Sequence, residues 1–209
     1  LALGFVAYVF SMYTTTVANT NFIITTETIF LALFGYFFLK EKINLITFIS
    51  IILGMSGVLI ILGSSLSIQS SEQFLGNIVA FIMPISFAVL VIVIRKYPNV
   101  DMVPAQFTAG IAAAIVGFFI AGQLLISIHD LFLALLAGFF QIGFGFILIT
   151  VGSQTTPAAI VGVMMLTESV FGPLWAWLFI NEVPPAAVVI GGSIIIFSIL
   201  FQSFFTKKA

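Results

Sequence analysis

The chain has 209 residues, of which 62% are hydrophobic and only 6% charged, with a formal net charge of −1. Soluble domains carry about 25% charged residues, so too little charge is present to cover a water-facing surface, and lipid is the expected solvent. The near-neutral balance excludes a nucleic-acid footprint. The absence of Cys excludes disulfides and thiolate metal sites. The single His129 stands beside Asp130 in a short polar break and reads as an interfacial loop residue. One histidine cannot supply a haem pair or an HExxH zinc site, and no GxxxxGK[ST] loop is present to bind ATP. No cofactor is expected.

A hydrocarbon core about 30 Å thick needs roughly 20 apolar helical residues. The first apolar run, 1–13, begins at Leu1 with no initiator Met and no basic segment ahead of it. It does not read as a signal peptide, and the expectation is that the natural beginning is missing. After a weak break at Thr14 to Thr16 comes a second span, 17–39, ended by Lys40-Glu41-Lys42. The third, 43–63, leads into a polar stretch, 64–73, and the fourth, 74–94, ends at Arg95 to Asp101. The fifth is 103–126, and a break at 127–130 separates it from the sixth, 131–152. Breaks at 154–157 and 181–185 bound the seventh, 158–180, and the eighth is 186–205. The ten-residue alternation of an outer-membrane strand is absent. The predicted fold is therefore all-α, a polytopic membrane helical bundle.

The six cations are Lys40, Lys42, Arg95, Lys96, Lys207 and Lys208, and they follow the second, fourth and eighth spans. They share one side, which the positive-inside rule makes the cytoplasm. The expectation is a multi-pass protein of the inner or plasma membrane with a cytoplasmic C-terminus. Glu72, His129, Asp130 and Glu182 fall on the other side.

Setting residues 1–41 on 142–182, an offset of 141, gives eleven identities, where composition alone gives roughly three or four. They include Gly4 with Gly145, Thr14-Thr15 with Thr155-Thr156, Ala18 with Ala159, Thr26-Glu27 with Thr167-Glu168, and Glu41 with Glu182. The matched spans are five helices apart, so the copies cross the membrane in opposite directions. Such inverted repeats are the architecture of many secondary transporters. With five helices per repeat, residues 1–68 are the last three helices of a first repeat and 69–209 the whole of a second. Eight of an expected ten spans are then present.

The paired segments from Glu27 through Phe38-Leu39-Lys40-Glu41 and from Glu168 through Leu178-Phe179-Ile180-Asn181-Glu182 resemble the EamA-type transporters of the drug/metabolite transporter superfamily. Gly54-Met55-Ser56-Gly57-Val58 and Gly191-Gly192 look like that family's glycine-bearing fifth and tenth helices. The family often carries Pro after the intramembrane Glu, where Thr28 and Ser169 stand here, and Gly before the loop Glu, where Lys40 and Asn181 stand. The resemblance implies a metabolite exporter or importer with both termini cytoplasmic.

Glu27 and Glu168 lie near the middle of their spans, and no Lys or Arg lies within any span. An ionised carboxylate there costs about 2.5–3.5 kcal/mol. Each must be protonated, hydrogen-bonded or facing a wet cavity, so substrate-amine binding or proton exchange is the functional reading, and a packing contact the structural one. Thr16, Asn19, Thr20 and Glu27 share one helix face, expected to line the cavity unless it is an interhelical hydrogen-bond seam. Gln141, in a glycine-rich stretch, is a secondary candidate. Pro84 and Pro173 should kink their spans. Trp175 and Trp177 could stack on a substrate, and Glu41 and Glu182 are expected to cap the helix that follows each. The leading function is a secondary transporter that moves a small organic metabolite or drug-like solute by alternating access, with proton-coupled export as one form of it. The expected partners are that small-molecule substrate and the lipid bilayer, with a homodimer open. An intramembrane enzyme lacks the paired aspartates, histidines or mid-helix lysine it would need, and a non-transporting scaffold or partner subunit is the other alternative.

Overall fold

The computed structural model describes residues 1–63, 70–120, 126–181 and 183–205. The expected loop at 64–69, the end of the fifth span at 121–125, Glu182, and the terminal Lys207 and Lys208 lie outside the described residues. Every apolar run is helical: α1 (Ala2–Thr14), α2 (Val17–Thr25), α3 (Glu27–Leu39), α4 (Leu45–Leu62), α5 (Ser71–Ala80) and α6 (Ile82–Lys96). Then follow α7 (Val103–Ile120), α8 (Ile128–Leu136), a π-helical segment Ala137–Phe144, α9 (Gly145–Ser153), α10 (Ala158–Met165), α11 (Glu168–Ile180) and α12 (Ala186–Phe205). Among the described residues, seven helical segments are long and apolar enough to cross a membrane, with the shorter Ala2–Thr14 ahead of them. The protein is a polytopic helical membrane protein.

Hydropathy reads four of these spans as continuous, and the structure interrupts all four. The second and seventh break at matching places, between α2 and α3 and between α10 and α11. The fourth breaks at Phe81, three residues before Pro84, whose ring cannot coexist with a straight helical carbonyl at Ala80. The sixth unwinds through its π segment, where a Cβ at Gly143 would lie 3.2 Å from the Gly138 carbonyl. Pro173, by contrast, sits inside an unbroken α11. Side-chain caps start the helices that begin at the membrane faces: Thr16, Asn44, Ser70 and Ser127 each accept from the backbone N–H three residues on. Each such cap contributes about 1 kcal/mol.

The 141-residue offset recurs in backbone geometry. Among the described residues, the non-glycine residues with positive φ are Lys40 (56°) and Asn181 (57°), which are equivalent under that offset. Lys40 ends α3 in the left-handed conformation, and the Lys40 and Glu41 N–H groups both close on the Gly35 carbonyl. At the mid-span breaks the Thr26 N–H bonds to the Ile23 carbonyl at 3.1 Å, and the Thr167 N–H to the Met164 carbonyl at 3.1 Å. The Thr26 and Thr167 hydroxyls donate to those same two carbonyls.

Apolar burial drives little helix association in lipid, so close contact between small residues does the work. α4 crosses α12 where Gly57 faces Gly191. A Cβ at Gly57 would lie 2.6 Å from the Gly191 carbonyl, and one at Gly191 would lie 2.5 Å from the Gly57 carbonyl. Ile195 and Ile61, each four residues on, flank the crossing. α3 packs between α10 and α6, and α1 lies along α5 and α6. Leu31, Phe87, Ala88, Val91 and Ala158 form one fully buried cluster. α7, α8 and the π segment bury no residue.

The loops sort onto two faces. On the cation-bearing face Glu41 Oε1 accepts from Arg95 Nε at 2.9 Å and from Arg95 Nη2, and Glu41 Oε2 accepts from the Ala158 N–H at 2.8 Å. Arg95 Nη1 donates to the Gln154 carbonyl at 3.1 Å. The ends of the second, fourth and sixth spans therefore meet, as alternating crossings require. This corrects one expectation: Glu41 caps the positive end of α10, 117 residues on, while α4, the next helix, is capped by Asn44. On the opposite face the Thr15 hydroxyl donates to Asn77 Oδ1 at 2.7 Å.

Gly57→Leu or Gly191→Leu should force α4 and α12 apart and lower stability by about 1–3 kcal/mol, the usual cost of overpacking. A thermal melt of the detergent-solubilised variants measures it; Gly63→Leu, at a position with open space around its Cβ, should melt with the parent.

Candidate functional site

Each mid-span break makes a glutamate the first residue of a new half-helix: Glu27 opens α3 and Glu168 opens α11. A half-helix N-terminus presents unpaired N–H groups and the positive end of the helix dipole, so a carboxylate is better tolerated there than in mid-helix. The Thr26 and Thr167 hydroxyls donate to the same carbonyls that their own N–H groups reach, so each hydroxyl has a partner that hydrocarbon could not supply.

The two glutamates, one from each repeat, line a single cavity of about 200 Å³. Asn21, Thr25, Ser169 and Leu166 line it with them. Glu27 is 5% exposed, while Glu168 is open to the cavity side. Among the described residues no Lys or Arg lines the wall, so a positive charge there is expected from a bound solute or a proton. Among the described residues no group of three or more His, Asp or Glu is placed to hold a metal ion.

Toward the cation-bearing face the cavity is shut. Thr28, next to Glu27, donates from its hydroxyl to the Gly162 carbonyl at 3.0 Å, and a Cβ at Gly162 would lie 2.8 Å from Thr28 Cα. The α3–α10 contact continues to Gly35, where an added Cβ would lie 3.1 Å from Ala158 Cβ, and ends where the Ala158 N–H donates to Glu41, which also holds Arg95 of α6.

The other expected site residues fall elsewhere. Thr16 is the cap of α2. Asn19 donates from Nδ2 to Thr15 Oγ1 at 3.1 Å and to Asn77 Oδ1 at 3.2 Å, and Thr20 shares a 2.9 Å hydrogen bond with Ser11. That polar stripe is an interhelical seam with α1 and α5 rather than cavity wall, because the buried hydroxyls and amide find their partners across it. Gln141 is exposed on the π segment and does not line the cavity. Trp175 stacks between Phe171 and Phe179, at 6.3 and 5.7 Å, outside the lining. Asn21, Thr25 and Ser169 went unnoticed in the sequence. The signals were there: Asn21, Thr25 and Thr28 form a second polar stripe at i, i+4 and i+7, and the repeat offset carries Thr28 onto Ser169.

The profile of the EamA-like transporter family matches residues 1–63 and 73–204. The chain belongs to this family. An uncharacterized transporter of Methanothermobacter thermautotrophicus is 27% identical over 181 residues, 80% of this chain and 51% of that relative. Another, from Clostridium kluyveri, is 25% identical over 210 residues, 96% of this chain and 68% of the relative. The chain thus spans about half and about two thirds of these two relatives' lengths. A crystal structure at 17% identity superposes with a TM-score of 0.83 over 96% of this chain and 73% of that one, a likeness of fold alone.

Glu41 and Arg95 are each nearly buried, at 18% and 19% exposed. Removing one partner strands the other, so Glu41→Gln should cost about 1–3 kcal/mol, less than a fully buried pair would lose. A double-mutant cycle with Arg95→Met, read by thermal melting, should return a coupling of similar size.

Proposed function

We propose that this EamA-like protein is a secondary transporter that carries a small organic solute across the inner or plasma membrane. In this reading Glu27 and Glu168 bind the solute's amine or exchange a proton for it. The carrying observation is the convergence of two repeat-related glutamates on one cavity without a neutralising cation. Either carboxylate, left ionised and unmatched in mid-membrane, costs about 2.5–3.5 kcal/mol. A cationic solute or a proton relieves that cost, and competition between the two would couple their movements. Inverted repeats with broken helices at the midplane are the setting in which such sites occur. The wall mixes amide, hydroxyl and carboxyl groups with Ile24, Ile61 and Met165, which suits an amphipathic organic solute better than a bare ion.

The cation-bearing face is taken as cytoplasmic by the positive-inside rule. The reading involves no covalent chemistry and no bound cofactor. Transport proceeds by alternating exposure of the cavity to the two faces, with export as the proposed direction.

The test is flux through proteoliposomes that enclose a pH dye, challenged with pools of amines and amino acids. The parent should show solute-dependent proton movement. Glu27→Gln and Glu168→Gln should each reduce it at least about tenfold, since one charge-assisted contact contributes roughly 1.5–3 kcal/mol and 1.4 kcal/mol is a factor of ten. Solute movement without protons, unchanged in both variants, would leave the glutamates as packing residues.

A further inference from the structure

The cavity's two ends are related by the repeat, and only one of them is shut. α3 and α10 lie in the half of the bundle toward Lys40 and Arg95, and they are joined from Thr28·Gly162 through Gly35·Ala158 to the Ala158 N–H on Glu41. The 141-residue offset carries α3 onto α11 and α10 onto α2. It carries Thr28 onto Ser169 and Gly162 onto Asn21. The counterpart of the closed crossing is therefore an α2–α11 crossing in the other half, with Asn21 and Ser169 at its point of contact. No packing comparable to α3–α10 joins α2 and α11 among the described residues, and Asn21 and Ser169 line the open cavity instead.

We propose that Asn21 and Ser169 are the pair that closes this cavity over its solute. They meet when α2 and α11 come together, as the Thr28–Gly162 crossing parts. The proposal rests on the transport reading and adds the residues that seal and select. The two crossings differ at both positions, Thr28 against Ser169 and Gly162 against Asn21, and the second difference sets what each can do. At Gly162 the absence of a side chain lets backbone meet backbone, and the Thr28 hydroxyl bonds directly to a carbonyl. At Asn21 the side chain holds α2 farther from α11, and its amide fills the remaining gap. That amide brings two donors and an acceptor into a space away from water, where leaving them unpaired is costly. Ser169 supplies one partner, and the solute supplies the rest. A solute that cannot hydrogen-bond there leaves the closure incomplete, so Asn21 discriminates among solutes.

The parent has no Cys, so paired cysteines report on distance without background. A disulfide requires Cα atoms within about 7 Å. Asn21→Cys/Ser169→Cys is oxidised with copper phenanthroline in proteoliposomes, with and without a pool of the standard amino acids, putrescine and tyramine. Ser11→Cys/Thr20→Cys is the control, because those native hydroxyls lie 2.9 Å apart. Flux in the unmodified protein is measured first and bears on the transport reading alone. The control should cross-link in every condition. The 21–169 pair should cross-link in a fraction of molecules that rises with the pool, and dithiothreitol should restore the flux that the bridge stops. A cross-linking control beside a 21–169 pair that never bridges overturns the proposal, as does flux that persists through the bridge. Asn21→Ala, which removes the amide and leaves both glutamates, should change which members of the pool are carried. Unchanged selectivity would also overturn it.

Discussion

A backbone amide or carbonyl in hydrocarbon has no water to turn to, and that constraint organises the centre of this protein. Two of its spans are interrupted at the depth where interruption is most expensive, and each repairs the damage with the same device. A threonine hydroxyl turns back to the carbonyl three residues before it, and the chain restarts as a second half-helix. The restart places a glutamate on the one kind of helical position that favours negative charge. Helix break, hydroxyl and carboxyl are thus one unit, used twice. Moving the glutamate a turn into either half-helix would lose the tolerance that the break provides.

Around that unit the molecule divides into parts that are locked and parts that are free to part. The α4–α12 crossing is locked because its glycines let two backbones touch, with an isoleucine wedged on each side. The α3–α10 contact is also close, and beside its apolar packing it carries polar links, the Thr28 hydroxyl bond to Gly162 and the Ala158 N–H bond to Glu41 at the water boundary. Hydrogen bonds and ion pairs can be exchanged for others of similar strength, whereas a glycine crossing has no substitute partner. Relative motion of the repeats should then pivot on α4 and α12 and take place along α3, α10, α2 and α11.

Much of this architecture is legible in the amino-acid order. Apolar runs, loop cations and the 141-residue offset lead to the bundle, and Glu27 and Glu168 stand out because carboxylates in apolar runs are costly. The breaks at Thr26 and Thr167 were hidden, because hydropathy averages over a span and threonine is neutral in that average. The polar stripe of Thr16, Asn19 and Thr20 shows periodicity, and periodicity says which residues share a face without saying what that face meets. It meets α1 and α5, through Ser11 and Asn77, which lie nine and 58 residues away from their partners. Asn21 draws no attention in an apolar span, and Ser169 stands out only as a replacement for Pro, until the repeat shows what stands across from each.

The Glu41–Ala158 hydrogen bond spans 117 residues of chain. At a synthesis rate of roughly 5–20 residues per second, the partner N–H follows Glu41 out of the ribosome after about 6–23 s. The carboxylate must spend that interval without its native cap, and its place at the membrane face makes the wait tolerable, since water and Lys40 and Lys42 stand beside it. The mid-membrane pair has no such refuge. Glu27 enters the bilayer 141 residues ahead of Glu168. Glu27 therefore meets the bilayer before the protein has any cavity to hold it, and an ionised group at that position costs about 2.5–3.5 kcal/mol until the second repeat arrives.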